Sequence, residues 1–358
     1  MIKFGSLRGS IGHLILNSLR YLLEEKKPND FLVISTPKNE ISNFFVYKTI
    51  VKNFQNNRVN FNNSRVINFI YKALYKIKKK IPIFSNLLCN IEWLHHKNPK
   101  IEYGSNYNFD ENFYNLVPEL EIDPNDLDYF YNWINQNNIK KNFVCISARD
   151  SGFYNENVEN PRNFNFKDYE QLIKMLISKN YSVIRMGRNY LDTYNLDNEN
   201  YIELFKNEKN NLNLDLIETL LFKECNFIIS GNSGIDAFAA LFKKKIFIPN
   251  NFPAGRIPRY LNCTFIPQIY KKDGSKINYN IIPKNILLSE ETEQLDKHNL
   301  KLVKVNPEDI SNMVKEYIKN SMNEGVDISR ENFVIEGKKS NAQLCPLWYK
   351  KNINLFSK

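Results

Sequence analysis

The stretch NFIISGNSGIDAFAALFKKKIFIPN, Asn226–Asn250, concentrates its chemistry in one turn, Ser230-Gly231-Asn232-Ser233-Gly234. An apolar run, Phe227–Ile229, enters the turn. A helix-like run, Ile235–Phe242, leaves it, and a second apolar run follows at Ile246–Ile248. Strand, tight turn, helix and strand are the parts of a βαβ unit. Hydroxyls and backbone N–H groups gathered at a helix start stabilise an anion, because those donors lack helical partners and the helix dipole adds to them. The diphosphate of a nucleotide suits such a turn. Capping of the following helix uses the same groups, so Ser233 and Gly234 also have that simpler reading.

A second run points at the same ligand: FVCISARDSGFY, Phe143–Tyr154. Phe143–Ser147 has the composition of a short buried strand and delivers Arg149 and Asp150 to its carboxyl end. Ligands of open α/β sheets sit outside those ends, and an arginine there can grip phosphate oxygens with its planar fork. The plain alternative is an Arg149–Asp150 ion pair closing the strand. Downstream, Tyr181–Met186 reads as another strand, ending in Gly187-Arg188. Met186, Gly187 and Arg188 are candidates to line a base or ribose. Arg185 alternates with apolar neighbours and is expected to face a crevice or solvent. Asp236 could meet a ribose hydroxyl, or simply favour the dipole of its helix.

The chain opens with a third loop, Gly5-Ser6-Leu7-Arg8-Gly9-Ser10-Ile11-Gly12-His13. Its glycines, Gly9 and Gly12 among them, let backbone approach a ligand or another domain closely. His13, at a helix start, has a pKa range suited to a general base. Capping or packing of that helix start is its non-catalytic alternative.

The elements that position these loops divide the chain. Ile2–Phe4 as strand, Ser10–Glu25 as helix and Phe31–Ser35 as strand give a first βαβ unit. Asp123-Pro124-Asn125-Asp126 starts a well-capped helix, and Asn135–Lys141 reads as a linker. Residues 1–138 are therefore expected as one α/β domain and 139–330 as a second. Asn306-Pro307-Glu308-Asp309 caps a last helix there. The tail, 331–358, is expected to cross back to the first domain. Phe166–Lys179 carries one apolar stripe, as does the segment with Ile67, Ile70, Tyr71, Leu74 and Ile77. In the latter, Lys72, Lys76, Lys78, Lys79 and Lys80 supply charge. Packing of its stripe on the core is the ordinary reading, and contact with a membrane surface the other.

At 358 residues the chain can bury two cores, and 42% hydrophobic with 25% charged residues is ordinary for a folded protein. The formal charge of +10 invites a nucleic acid, yet no helix-turn-helix, zinc-finger or RNP pattern occurs, so no nucleic-acid partner is expected. Cys89, Cys145, Cys225, Cys263 and Cys345 are scattered and read as buried free thiols. His95-His96 has no partner at ligand spacing, so no metal is expected. Ile11–Leu23 is interrupted by His13, Asn17 and Arg20 and makes a poor signal peptide; no run reaches spanning length. A cytoplasmic protein is expected, with peripheral contact at the inner face of the membrane left open.

Several segments together resemble a bacterial glycosyltransferase family of surface-polysaccharide and glycan-modification loci. They are RGSIGHL at Arg8–Leu14, CISARDSGFY, YSVIRMG at Tyr181–Gly187, the run from Asp215 through Cys225-Asn226-Phe227-Ile228 to Ser233-Gly234, and Asn306-Pro307-Glu308-Asp309-Ile310. Residues 40–120 carry no such landmark. The resemblance implies a GT-B-like α/β architecture, two Rossmann-like domains facing across a cleft. It places a nucleotide-sugar donor, as substrate with no further cofactor or metal, in the C-terminal domain. A glycan or lipid-linked acceptor lies against the N-terminal one. Ala148-Arg149-Asp150 is similar to the arginine-bearing motif of GDP-fucose-using fucosyltransferases, which implies that Arg149 contacts the donor diphosphate; Ser147 stands where that motif has histidine. Arg8–His13 is similar to the GxxGD loop of heptosyltransferase-like enzymes, with His13 in place of the acidic residue that is the candidate base there. Asn250 is a candidate contact to the donor sugar. A nucleotide-sugar epimerase, or a catalytically silent nucleotide- or glycan-binding module, would use the same scaffold.

Overall fold

The computed structural model describes residues 1–7, 10–25, 29–35, 41–62, 64–78, 80–89, 111–150, 160–188, 190–191, 194–204, 213–258, 260, 262–290, 292–320 and 342–356. The chain opens with β1 (Ile2–Ser6), α1 (Ile11–Arg20), β2 (Phe31–Ser35), α2 (Phe44–Phe54), β3 (Val59–Asn62) and α3 (Arg65–Ile77). These strands form a parallel sheet in the order β1-β2-β3, and Leu88 bridges to Phe4 on the outer side of β1. The expected opening βαβ unit is present. Its helix follows α geometry to Arg20 and widens into a π-type turn over Tyr21–Glu25.

Two helices, α4 (Glu111–Leu116) and α5 (Pro124–Gln136), lead to the second unit. Asp123 accepts the Asn125 N–H at 2.9 Å and Pro124 occupies the first turn of α5, as its capping chemistry requires. The second unit runs β4 (Phe143–Ser147), α6 (Glu170–Ser178), β5 (Ser182–Met186), β6 (Tyr201–Glu203), α7 (Leu214–Glu224), β7 (Ile228–Ser230), α8 (Ala237–Leu241), β8 (Ile246–Asn251) and β9 (Cys263–Pro267). An antiparallel flap follows, made of β10 (Ile269–Lys272), β11 (Ser275–Lys276) and β12 (Lys301–Val303). After the helix Pro307–Asn320, β13 (Gln343–Leu344) closes the chain's last pairing.

The seven-stranded sheet has the order β13-β9-β8-β7-β4-β5-β6, and every pairing in it is parallel. Numbered from β4, six of its strands follow 3-2-1-4-5-6, the doubly wound order whose direction reverses between the first and fourth strands. That switch falls between β4 and β7. Helices cover both faces, so β4, β5, β8 and β9 are buried end to end. This is the expected GT-B-like α/β class, two Rossmann-like units. One expectation is corrected. The tail over 342–356 does not return to the first unit, because Leu344 pairs with Phe265 of β9 and Phe356 packs against Tyr279 and Trp348.

The units meet along two seams. In the first, α1 starts against the turn before α8. A Cβ on Gly12 would lie 2.8 Å from the Cα of Gly234, and one on Gly234 would lie 3.2 Å from the Gly12 nitrogen. Backbone touches backbone there, and at Gly12 only glycine leaves room. The second seam is polar. Asn43 caps α2 by accepting the Val46 N–H at 2.9 Å, while its amide donates to Glu218 at 3.1 Å on α7. The Phe44 N–H donates to Asp215 at 2.6 Å. Arg188, just past β5, donates to both Asp215 at 2.6 Å and Glu218 at 2.8 Å. Burial raises the pKa of Glu218, and the Arg188 charge and the Asn43 hydrogen bond oppose that rise. Burial also works against the Arg188 charge, but the two carboxylates outweigh it and its pKa is raised.

Removing the cation would leave Glu218 buried beside Asp215 without its counter-charge. Arg188→Met is therefore expected to destabilise the protein by about 1–3 kcal/mol, below the ~3–5 kcal/mol of a fully buried pair because the guanidinium is partly exposed. Denaturant unfolding of the two proteins measures the difference.

Candidate functional site

Both anion-directed runs end at the β4/β7 switch. The pairing of these strands continues past β7, with the Gly231 N–H donating to the Ser147 carbonyl at 3.0 Å. The turn thus lies against the backbone that carries Arg149: a Cβ on Gly231 would sit 3.6 Å from the Arg149 nitrogen. Arg149 and Asp150 are themselves largely buried. The sequence separates these two motifs widely, and strand order alone brings them together.

Asp236 shapes the turn from within. It accepts the Ser230 hydroxyl on one carboxylate oxygen and the Ser233 N–H, at 3.1 Å, on the other. Only 1% exposed, it presents no surface to a ribose hydroxyl, and that expectation is corrected: Asp236 works on the loop. Asn232 takes a left-handed conformation, φ 60°, which asparagine tolerates better than most residues. From there its amide donates to the Phe252 carbonyl at 2.8 Å and to Asn251 at 3.1 Å, fastening the turn to the end of β8. Ser230, Gly231 and Ser233 therefore spend a donor each inside the protein. Among the described residues, the N–H groups of Asn232 and Gly234 have no protein acceptor. These two donors, at the start of a helical stretch from Gly234 to Leu241, are what the turn offers an anion.

The remaining candidates lie around this centre in different ways. Met186 is buried at the end of β5. Gly187 has φ 111° with open space where a Cβ would stand, a conformation that excludes most side chains. Arg188 is committed to the seam with α2 and α7 described above, which its sequence position did not reveal. Asp150 accepts the Leu191 N–H at 2.6 Å, tying the chain after β5 to the chain after β4. Asn250 is fully buried and donates to the Pro161 carbonyl at 3.3 Å, a group that Gln268 also holds at 2.6 Å. The Phe164 N–H donates to the Arg149 carbonyl at 2.7 Å, so this Pro161–Phe164 stretch supports Arg149 from below. Arg162 and Arg256 both pair with Glu290. Nothing local in the sequence marks Gln268, Arg162 or Glu290, since their roles arise from long-range contacts.

His13 stands in the first turn of α1, one residue from the Gly12–Gly234 contact. Its Nδ1 lies 3.4 Å from the Ser10 hydroxyl, and the ring is partly exposed. Arg8 and Gly9 lie outside the described residues, as do Ser151–Tyr154 and His95-His96. Arg185 departs from expectation. It is 1% exposed, sandwiched between the rings of Phe166 at 3.9 Å and Tyr190 at 3.8 Å, and paired with Glu203 at 3.2 Å. A strand flanked on both edges and covered on both faces offers no solvent side, so its arginine must find partners inside. All five cysteines are buried, and none of them is in a disulfide.

Burial pushes the Asp236 carboxyl up to about 7, against the pull of its bonds to Ser230 and Ser233. The unfolded chain would release that proton near pH 4. Between these values the folded state binds the extra proton, so stability declines as pH rises from about 4 to 7. Asp236→Asn carries no titrating group, and its unfolding free energy is expected to lack this fall, a difference of at most about 4 kcal/mol across the window. Chemical denaturation at about pH 4.5, 6 and 7.5 tests the slope across this window.

No protein-family model matches this sequence, and no curated protein matches it. Among solved structures, the glycosyl transferase family 9 protein of Veillonella parvula is similar at 8% identity, over 89% of this chain and 97% of that one, with a TM-score of 0.49. The E. coli ADP-heptose lps heptosyltransferase II shares 14% identity over 83% of this chain and 99% of its own, with a TM-score of 0.46. S. aureus MnaA, solved with UDP, shares 13% over 90% and 89%, with a TM-score of 0.38. The doubly wound order of the second sheet stands on its own hydrogen bonding.

Proposed function

We propose that this chain is a glycosyltransferase, transferring a sugar from a nucleotide-sugar to a hydroxyl of a glycan or lipid-linked acceptor in bacterial surface-polysaccharide or glycan biosynthesis. The observation that carries the reading is the convergence at one switch point of Arg149 and the Ser230–Gly234 turn, with the start of α1 pressed on Gly234. A dinucleotide-type sheet places its ligand there, and the third component brings His13 from the other unit.

In this reading the donor diphosphate binds the N–H groups of Asn232 and Gly234 and the guanidinium of Arg149. The acceptor oxygen attacks the anomeric carbon and its proton passes to the His13 imidazole. The bond from the anomeric carbon to the β-phosphate oxygen breaks, and its electron pair leaves with the nucleotide. Fixed donors and positive charge stabilise that developing charge without reorganising. Met186 and Gly187 border the nucleotide, Asn250 and Asp150 hold the walls, and the seam between the units excludes water.

Thermal unfolding in excess UDP, GDP, CMP and dTDP tests the donor site. One nucleotide is expected to stabilise wild type, by about 2.7 kcal/mol at a hundredfold excess over Kd, and Arg149→Ala to lose that gain. With the matching nucleotide-sugar, His13→Ala is expected to lower kcat by about 10²–10⁴ while keeping nucleotide affinity. Stabilisation without turnover would favour a silent binding module, and stabilisation by none of the four would overturn the reading.

A further inference from the structure

We infer that the outer face of α3, with the turn that follows it, is a docking surface for an anionic lipid bilayer. The inner face of this helix is accounted for: Tyr71 is buried, and α3 packs on β1 and β2. The outer face is apolar where a surface helix is normally polar. Phe69 is 72% exposed, Val66 64% and Ile77 38%; directly beyond the helix, Ile81 is 47% and Ile83 71% exposed. The lipid-facing stripe suggested by sequence periodicity was a different one. Ile67, Ile70 and Leu74 of that stripe are partly buried, while Ile77 at its edge joins Val66 and Phe69 on the exposed arc beside it.

Charge selects the partner. With about 3.6 residues per turn, Arg65, Lys72 and Lys76 occupy one side of the exposed arc, and Phe69, Val66 and Ile77 the other. All three cations are exposed, as is Lys80 in the turn. Residues 41–91 contain nine Lys and Arg and no Asp or Glu, against a formal charge of +10 for the whole chain. The excess charge is thus concentrated in the part of the chain that carries the exposed apolar side chains. An interfacial helix needs that combination, with side chains to enter the acyl boundary and cations for the lipid phosphates. A nucleic acid would meet the cations but leave Val66, Ile77, Ile81 and Ile83 against a phosphate surface. Among the described residues no helix is long and apolar enough to cross a membrane, so the contact is peripheral. It stands whether or not the chain transfers a sugar.

Flotation of the full chain with vesicles tests it. Capture is expected on phosphatidylcholine vesicles containing phosphatidylglycerol, and not on phosphatidylcholine alone, with the capture weakened by salt. Phe69→Ser with Ile83→Ser is expected to weaken capture about tenfold or more per side chain. Lys72→Gln, Lys76→Gln and Lys80→Gln together should weaken it about fivefold per charge. All five positions are exposed, and unchanged thermal unfolding of the variants verifies that each folds. No capture, equal capture on both vesicles, or capture indifferent to these substitutions would overturn the proposal. So would a wild-type dimer that Phe69→Ser dissociates, which would assign the face to a second copy.

Discussion

Gly12 and Gly234 meet backbone to backbone, and no side chain fits between them. That contact joins the first helix of one α/β unit to the anion-directed turn of the other, so the geometry of the turn is shared between the units. A side chain at Gly12 would have to displace the main chain of Gly234, and one at Gly234 would crowd the Gly12 nitrogen at 3.2 Å. The polar seam formed by Asn43, Asp215, Glu218 and Arg188 fixes the units a second time, from α2 to α7. With both in place, His13 is carried to the edge of the switch point by the rigid start of α1.

Strand order does the rest. In a doubly wound sheet the strands flanking the reversal send their following chains to opposite faces, and a crevice opens between them. Here β4 contributes Arg149 and β7 contributes the turn. The turn is rigid because Asp236 fills its interior, Asn232 fastens it to β8, and Gly231 extends the β4 pairing. Rigidity matters for an anion site, since donors already aimed need no ordering when the ligand arrives. Support also comes from beneath, where Asn250 and Gln268 hold the Pro161 carbonyl and Phe164 holds Arg149.

Much of this was legible locally. The βαβ grammar around Ser230–Gly234, the buried strand before Arg149, the caps at Asp123 and Asn306, and the opening strand–helix–strand all depend on neighbours within a few residues. What escaped depends on which faces distant elements cover. Asp236 could be placed in a first turn but not seen to point inward. Arg185 sits in a strand whose two covered faces only the sheet reveals, and its aromatic sandwich follows from that burial. Arg188 reads as a loop cation beside a ligand until α7 supplies two carboxylates. The tail joined β9 because the sheet had an open edge there, and α3 kept apolar side chains outside that periodicity assigned to no partner.

Calorimetric titration with UDP, GDP and dTDP, repeated with Gly12→Ala, tests most directly whether the anion site is shared between the units. Gly12 lies outside the unit that carries the Ser230–Gly234 turn, so a self-contained site would not notice the change. The variant is expected to unfold cooperatively yet bind about tenfold or more weakly, a loss of ~1.4 kcal/mol, because the added methyl forces Gly234 out of place. An unchanged affinity in a folded variant would contradict it and return the anion site to the C-terminal unit alone.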